Sequence, residues 1–462
     1  MKIIRMKAKL LLLLAVVVLF ASCSKENPSN KEEEKTVHKA NRFVYDFTSE
    51  AYLWSADIPS FINYRSADNP QDLFELMRNK ELDKWSYVSE NSEEEMNQFQ
   101  GVSTTFGYSL AFGRFSNKPT DLFALVEYVY KDSPAQKAGF KRGDILLTVG
   151  GTAITEANYL NLYYAPQVEI GLGAINADGA VTTSNVVRKM TAVEMYEDPV
   201  IDYRVIEAEG KKVGYLAYAG FYEKSHTKLV EVFENFKGAG VQELILDLRY
   251  NPGGDAKTPS YLSSLFAPYD KVKEGAVFLK QQWNELYMAY YESIGENMCT
   301  YFAKDIPVNI NMNRVFVLTS SKTASASEAT ISGIKPYMDV VLVGGTTHGK
   351  YCGAALLVPD EKNYPGLSNW LLSLVIYKFV NTQGFTEFKD GIAPDYEVED
   401  SGLWGAIPLG SKEDPLIAKA LSIITGGDVK SLEQRTIAPE GLVLEPSLGE
   451  SKSKGGYKFI MQ

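Results

Sequence analysis

The sequence predicts an α/β chain with a small helical start, a β-rich insert and a larger body in which strands and helices alternate. Three observations predict it. Between Val37 and Lys80, apolar residues recur at helical spacing: Phe43, Phe47, Tyr52, Leu53 and Trp54, then Leu73, Phe74, Leu76 and Met77. From Phe123 to Leu146 a strand-like run gives way to Ser133-Pro134-Ala135, Gly139 and Gly143-Asp144, the punctuation of short elements joined by turns. From Arg314 to Lys350 two apolar runs of strand length, Val315–Leu318 and Val340–Val343, flank a helical stretch that Pro336 ends.

The third stretch carries the chemistry. Small polar residues, Thr319 to Thr323, lead into Ala324-Ser325-Ala326-Ser327-Glu328 at the start of the helix, and the second strand run ends in Gly344-Gly345 and Gly349-Lys350. A serine at a strand-to-helix turn and a lysine after the next strand can meet in space. A serine hydroxyl is a poor nucleophile until a base takes its proton. An amine is that base only when neutral, which burial favours. The helix start also offers unpaired N–H groups to a developing oxyanion. Ser320 and Ser321 are weaker rivals, and His348 is an alternative base. By the local side-chain rule Ser327 and Glu328 cap the helix.

T-A-S-A-S-E followed by V-x-V-G-x-T-x-x-G-K resembles the signature of the carboxyl-terminal processing peptidases, the tail-specific proteases. The resemblance implies Ser325 as nucleophile and Lys350 as base, 25 residues apart. L-I-L-D-L-R-Y-N-P-G-G at Leu244–Gly254 is similar to the family turn that lines the oxyanion hole, which implies amides of Gly253, Gly254 and Ala326 as donors. Arg249 is read as a buttress of that turn. G-I-A-P-D at Gly391–Asp395 also matches. The family has a glutamine four residues after the lysine; here Ala354 stands there, and Gly349-Lys350-Tyr351 replaces G-K-G. The third catalytic group is therefore either supplied elsewhere or missing.

Asp132–Leu146 (DSPAQKAGFKRGDIL) resembles the PDZ modules of bacterial proteases. That implies a carboxylate-binding loop at Phe106, Gly107, Tyr108, Ser109 and Leu110, where a peptide adds a strand to the sheet edge, with a helix over Ala157–Tyr164 facing the groove. A PDZ unit used only for packing is the other reading. The fold expected from these resemblances is an α/β peptidase core of ββα units of crotonase and Clp type, with an inserted PDZ domain and a small helical N-terminal region. The expected boundaries are 37–99 for the helical region, 100–190 for the PDZ domain, 191–425 for the peptidase body and 426–462 for a polar, glycine-rich and partly loose tail. Within the body, Ser225–Phe236 reads as an amphipathic helix stopped by Gly238, Trp370–Val380 as a strand and Asp414–Ile424 as a closing helix.

The 462 residues carry a formal charge of −11, and an acidic chain is a poor partner for nucleic acid. Residues 1–22 are read as a targeting segment: Lys2, Arg5, Lys7 and Lys9 precede the apolar run Leu10–Phe20. Ala21-Ser22-Cys23 then resembles a bacterial lipobox, which implies an acylated Cys23, a tether over 23–36 and a lipid-anchored place in the cell envelope, the outer membrane by preference. An ordinary secretory peptide and an N-terminal anchor are the alternatives. Cys299 and Cys352 either pair or stay as two thiols. No Cys/His cluster has zinc spacing, so neither a metal nor a cofactor is expected. The expected partners are proteins or peptides with free C-termini, and the membrane. Two functions stay open: a Ser–Lys endopeptidase, active or latent until a PDZ ligand arrives, and a non-catalytic peptide-binding lipoprotein on the same fold, which the altered Tyr351–Ala354 segment motivates.

Overall fold

The computed structural model describes residues 36–176, 180–427, 438–439, 441–445 and 459–461; the expected targeting segment and Cys23 lie outside them. The described residues begin with α1 (Thr36–Ala51), α2 (Pro70–Met77), β1 (Tyr87–Ser89) and α3 (Ser92–Phe99). The aromatic stripe is core: Phe43, Tyr52, Leu73, Phe74 and Met77 are buried, while Leu76 points outward. Helix α2 starts where the side chain of Asn69 accepts from Asp72 N and Pro70 takes the first position.

The β-rich insert follows. Strand β2 (Val102–Thr105) leads into it, and β3 (Tyr108–Phe115), β4 (Lys118–Val129), β5 (Ile145–Val149), β6 (Thr152–Ala153), β7 (Gln167–Ile175) and β8 (Val181–Thr191) form its sheet. β9 (Val193–Tyr196) pairs with β2 to close the neck. The sheet order is β3-β4-β5-β7-β8, with β6 on β5. Helix α4 (Pro134–Lys137) is capped by Ser133, whose side chain accepts from Gln136 N. The expected helix over Ala157–Tyr164 reduces to its last turn, α5 (Asn161–Tyr164). Asn158 Oδ1 accepts from Thr155 N, and this local bond holds the segment before it in turn geometry instead of helix.

The body supplies two sheets. Its elements are β10 (Val200–Ala208), β11 (Lys211–Tyr218), α6 (His226–Ala239), β12 (Glu243–Asp247), β13 (Gly254–Asp255), α7 (Thr258–Ser264), β14 (Val277–Trp283), α8 (Glu285–Ser293), β15 (Cys299–Tyr301), β16 (Arg314–Thr319), α9 (Ala326–Ile334), β17 (Asp339–Gly344), β18 (Cys352–Leu357), β19 (Leu371–Val380), β20 (Tyr396–Glu397) and α10 (Pro415–Thr425). The first sheet has the order β10-β11-β12-β16-β17-β20 and is parallel from β11 onward. Its central strands are apolar on both faces because both faces are covered. Leu244, Leu246, Val315 and Val317 pack with Leu229, Val232, Phe233 and Phe236 of α6. Ile245, Phe316 and Leu318 pack with Leu416, Ile417, Ala420 and Leu421 of α10. Helix α6 runs past Gly238 and stops at Gly240, whose φ of 71° gives the left-handed turn that ends it.

The second sheet contains β18-β19-β14-β15, with β1 antiparallel on β19, so the N-terminal region is stitched into the body. Cys299 and Cys352 are both free thiols. Two short strands lie in the tail expected to be loose: β21 (Leu442–Leu444) and β22 (Phe459–Met461). No helix among the described residues is long and apolar enough to cross a membrane.

Candidate active site

Strand β16 ends the apolar run, and the chain turns sharply into α9. Ser325 makes that turn with φ 61° and ψ −109°, a conformation that costs a non-glycine residue about 1–3 kcal/mol. Its surroundings hold it there. Asn251 O accepts Ala324 N at 3.1 Å, and Ser325 O accepts Ala329 N at 2.7 Å. The Ser325 side chain is fully buried, yet its Oγ has no hydrogen-bond partner. A buried hydroxyl left in this way costs about 1–3 kcal/mol and marks a position kept for something other than stability.

Glu328, one turn into α9, joins this segment to the lysine. Its Oε2 accepts from Ser325 N at 2.8 Å and from Lys350 N at 2.9 Å. Its Oε1 accepts from Gly349 N and Thr347 Oγ1, both at 2.6 Å. One carboxylate atom therefore brings the backbones of Ser325 and Lys350 together. Burial pushes the Glu328 carboxyl up to about 7, against the pull of Thr347 and the three amides. Sequence reasoning read Glu328 as a helix cap, which it is; the second half of its role depends on the chain returning at Thr347–Lys350.

Lys350 is 2% exposed, and its Nζ lies 5.9 Å from the ring centre of Trp85. Trp85 comes from the N-terminal region and also meets Tyr351 edge-on at 6.2 Å. A cation over an indole face is worth about 0.5–2 kcal/mol. Trp85 follows Asp83, a buried carboxylate that accepts from Trp85 N and Ser86 N, so the indole is delivered by a fixed turn. Burial and the nearby Lys350 charge push the His348 imidazole down to about 4, and His348 N donates to Thr323 O at 2.9 Å. At neutral pH this ring is uncharged. Ala354 is a buried strand residue in register with Val375.

The turn after β12 faces the same helix start. Ser327 Oγ donates to Asn251 O at 3.0 Å, tying the two segments together. The amide of Gly253 donates to Asn251 Oδ1 at 2.9 Å, so in this conformation it is engaged within its own turn. A Cβ on Gly254 would lie 2.1 Å from Phe221 O, which restricts that position to glycine. Ala326 is the first residue of α9, where an amide has no acceptor within the helix. Beneath the turn, fully buried Arg249 donates to Asp247, Asp400 and both oxygens of Asp414 at 2.8–3.0 Å. Arg142 of the insert donates to Asp400 at 2.9 Å and to Tyr250 Oη at 2.5 Å, which locks the insert against the turn. Ser320 Oγ donates to Arg249 O and is not free to act elsewhere.

In the insert, Phe106, Tyr108 and Leu110 are core side chains, each 1% exposed. Gly107 has φ 78°, and its amide donates to Thr105 Oγ1 at 3.0 Å. Ser109 Oγ donates to Glu127 at 2.8 Å. Lys322, three residues before Ser325, donates to Leu110 O at 3.1 Å and to Glu127 at 2.6 Å. The outer edge of β3 is thus in direct contact with the loop that carries Ser325. Among the described residues no group of three or more His, Cys, Asp or Glu side chains is placed to hold a metal ion.

A parallel α/β core with a serine at a strained helix start, a buried lysine beside it and an inserted PDZ-type sheet defines a serine-peptidase scaffold. Comparison with known proteins makes the class specific. The profile of peptidase family S41 matches residues 212–398, that of the S41 N-terminal domain residues 39–87, and a PDZ profile residues 125–162. The chain belongs to peptidase family S41. It is 24% identical over 292 residues to the carboxy-terminal processing protease CtpB of Bacillus subtilis, covering 62% of this chain and 54% of that one. It is 25% identical over 269 residues to CtpA of the same organism, covering 58% and 52%. The chain thus spans about half the length of these curated relatives. The crystal structure of a candidate S41 protease from Bacteroides fragilis superposes with a TM-score of 0.69 at 24% identity, over 88% of this chain and 99% of that one, and shares the fold.

Proposed function

We propose that the chain is a serine endopeptidase of the carboxyl-terminal processing type, with Ser325 as nucleophile and Lys350 as general base. The observation that carries this reading is the shared carboxylate: Glu328 Oε2 accepts the amides of both residues, beside a fully buried Ser325 hydroxyl. In the reaction Lys350 Nζ takes the hydroxyl proton, Ser325 Oγ attacks the peptide carbonyl, and the amine leaves with a proton returned from Lys350. Water then hydrolyses the acyl-enzyme with Lys350 again as base. The oxyanion is offered the amides of Ala326 and Gly254; that of Gly253 joins only if Asn251 releases it.

The insert supports recognition of a protein's free C-terminus by strand addition, with Phe106–Leu110 as the carboxylate loop. The lipobox-like Ala21-Ser22-Cys23 supports acylation of Cys23 and a lipid-anchored place in a bacterial cell envelope. Loss of labelled palmitate incorporation in Cys23→Ala is the expected result there.

The dyad is tested by degradation of an unfolded protein. Ser325→Ala and Lys350→Ala are each expected to lower the rate by about 10³-fold or more; a rate unchanged in Ser325→Ala overturns the reading. The Ser325 hydroxyl and the Lys350 amine are not hydrogen-bonded to each other in this conformation, as in an enzyme at rest whose catalytic bond tightens when substrate binds. A serine-directed probe separates such an enzyme from a scaffold: it labels a latent enzyme only with added peptide, and a scaffold never.

A further inference from the structure

The tail beyond Gly426 contains two apolar triplets, Leu442-Val443-Leu444 and Phe459-Ile460-Met461, on either side of a polar stretch rich in Ser, Lys and Gly. Both triplets are strands, and both lie on edges that face peptide chemistry. β21 pairs antiparallel with the outer edge of β3, Leu442 opposite Phe115 and Leu444 opposite Gly113. Glu445 N extends the ladder to Phe112 O at 2.8 Å. Further along the same edge, the Leu110 carbonyl is taken by Lys322. This is the edge on which a PDZ ligand would add as a strand.

β22 lies between the two walls of the candidate active site. It is parallel to β18, with Ile460 opposite Ala354 and Met461 opposite Ala355. It is also parallel to β13, with Phe459 opposite Gly254 and Ile460 opposite Asp255. β18 starts two residues after Lys350, and β13 starts at the turn glycine assigned to the oxyanion. Phe221 N and O already take Gly253 O and Asp255 N. The ladder from β13 to β22 is therefore left to the amide and carbonyl of Gly254 itself. The tail backbone thus uses the group that the proposed reaction needs.

We propose that the space between β13 and β18 is a strand-accepting slot for an extended, apolar peptide segment, and that the chain's own residues 459–461 are its resting occupant, while residues 442–445 occupy the PDZ edge. The proposal rests on the peptidase reading for its consequence, self-restraint, but not for the binding itself. A tethered segment competes at an effective concentration of about millimolar, so a peptide of moderate affinity is enough to keep the slot filled. The stretch from Glu445 to Phe459 spans up to about 45 Å when extended, which allows both sites to be held at once.

The test compares the full chain with Ile460→Pro and with a chain ending at Glu445. Proline removes an amide from the middle of β22 and leaves the length unchanged. Backbone hydrogen exchange at Gly254–Asp255 and Ala354–Leu357 is expected to accelerate in both variants. It is expected to slow again when the synthetic heptapeptide matching residues 456–462 is added. Hydrolysis of an unfolded protein is expected to rise about tenfold in both, and the heptapeptide to inhibit it competitively. Exchange that is unchanged at both walls in both variants overturns the proposal, even where Ser325-dependent hydrolysis is present. Faster exchange, reversed by the heptapeptide, upholds the slot even where hydrolysis does not depend on Ser325; in that case only the peptidase reading falls.

Discussion

The Ser325 turn and the outer edge of β3 touch through Lys322, yet they are held in opposite ways. The turn is fixed from within by buried side chains: Glu328 grips four donors, and Arg249 sits among three aspartates. The β3 edge is covered from outside by a strand borrowed from the tail and by one lysine. The first arrangement costs several kcal/mol to disturb. The second exchanges one backbone ladder for another, so a different strand replaces it at little net cost. The difference separates a part built to stay from a part built to be replaced.

The largest effect is expected where that internal frame is broken. Arg249→Ala takes the guanidinium away from buried Asp247 and leaves Asp414 only Arg142 at 4.0 Å, and should lower stability by about 3–5 kcal/mol in urea denaturation. A loss below about 1 kcal/mol would mean that the charge network does not hold the turn. Glu328→Gln comes next. Whichever way the amide is oriented, its NH₂ faces two donors, Ser325 N and Lys350 N or Gly349 N and Thr347 Oγ1. A fall in kcat of about 10²-fold is expected, equivalent to about 2.7 kcal/mol.

The pH profile identifies the group. As the pH falls through about 7, Glu328 gains a proton and loses an acceptor site, so the rate should drop; Glu328→Gln should lose that limb. Stability should move the other way. The folded carboxyl is raised from 4.5 to about 7, so the folded chain holds the extra proton between these values. The contribution is present below pH 4.5 and is lost as the pH rises through 7. Thermal denaturation of Glu328→Gln should show no such loss. The smallest effect belongs to Lys322→Met. It removes the bond to the β3 edge and leaves Glu127 with Ser109 alone, for about 1–2 kcal/mol in a denaturant midpoint, without moving the pH profile.

What the sequence made legible was local. The run Val315–Leu318, the small residues and the helix before Pro336 place a strand-to-helix turn at Ser325, and the contacts that hold it in its strained conformation come from Asn251 and residues 347–350. Glu328 was visible only as a cap, because its other partners come from residues 347–350 after a full strand intervenes. Trp85 was not legible as a neighbour of Lys350, since nothing in its spacing points to residue 350. The choice between Gly238 and Gly240 as helix stop depends on which one takes positive φ, and both are glycine. The tail strands were missed because its polar, glycine-rich centre outweighed two apolar triplets. Three consecutive β-forming residues at each end were the available signal.

The indole of Trp85 beneath Lys350 has a consequence for timing. If the lysine acts as proposed, its surroundings are drawn from residue 85, from the turn at 325, and from strands completed only near residue 380. A ribosome releases these pieces in that order. A partly emerged chain can carry the serine while still lacking the lysine. On that reading, proteolytic competence arrives only after nearly all of the body has been made.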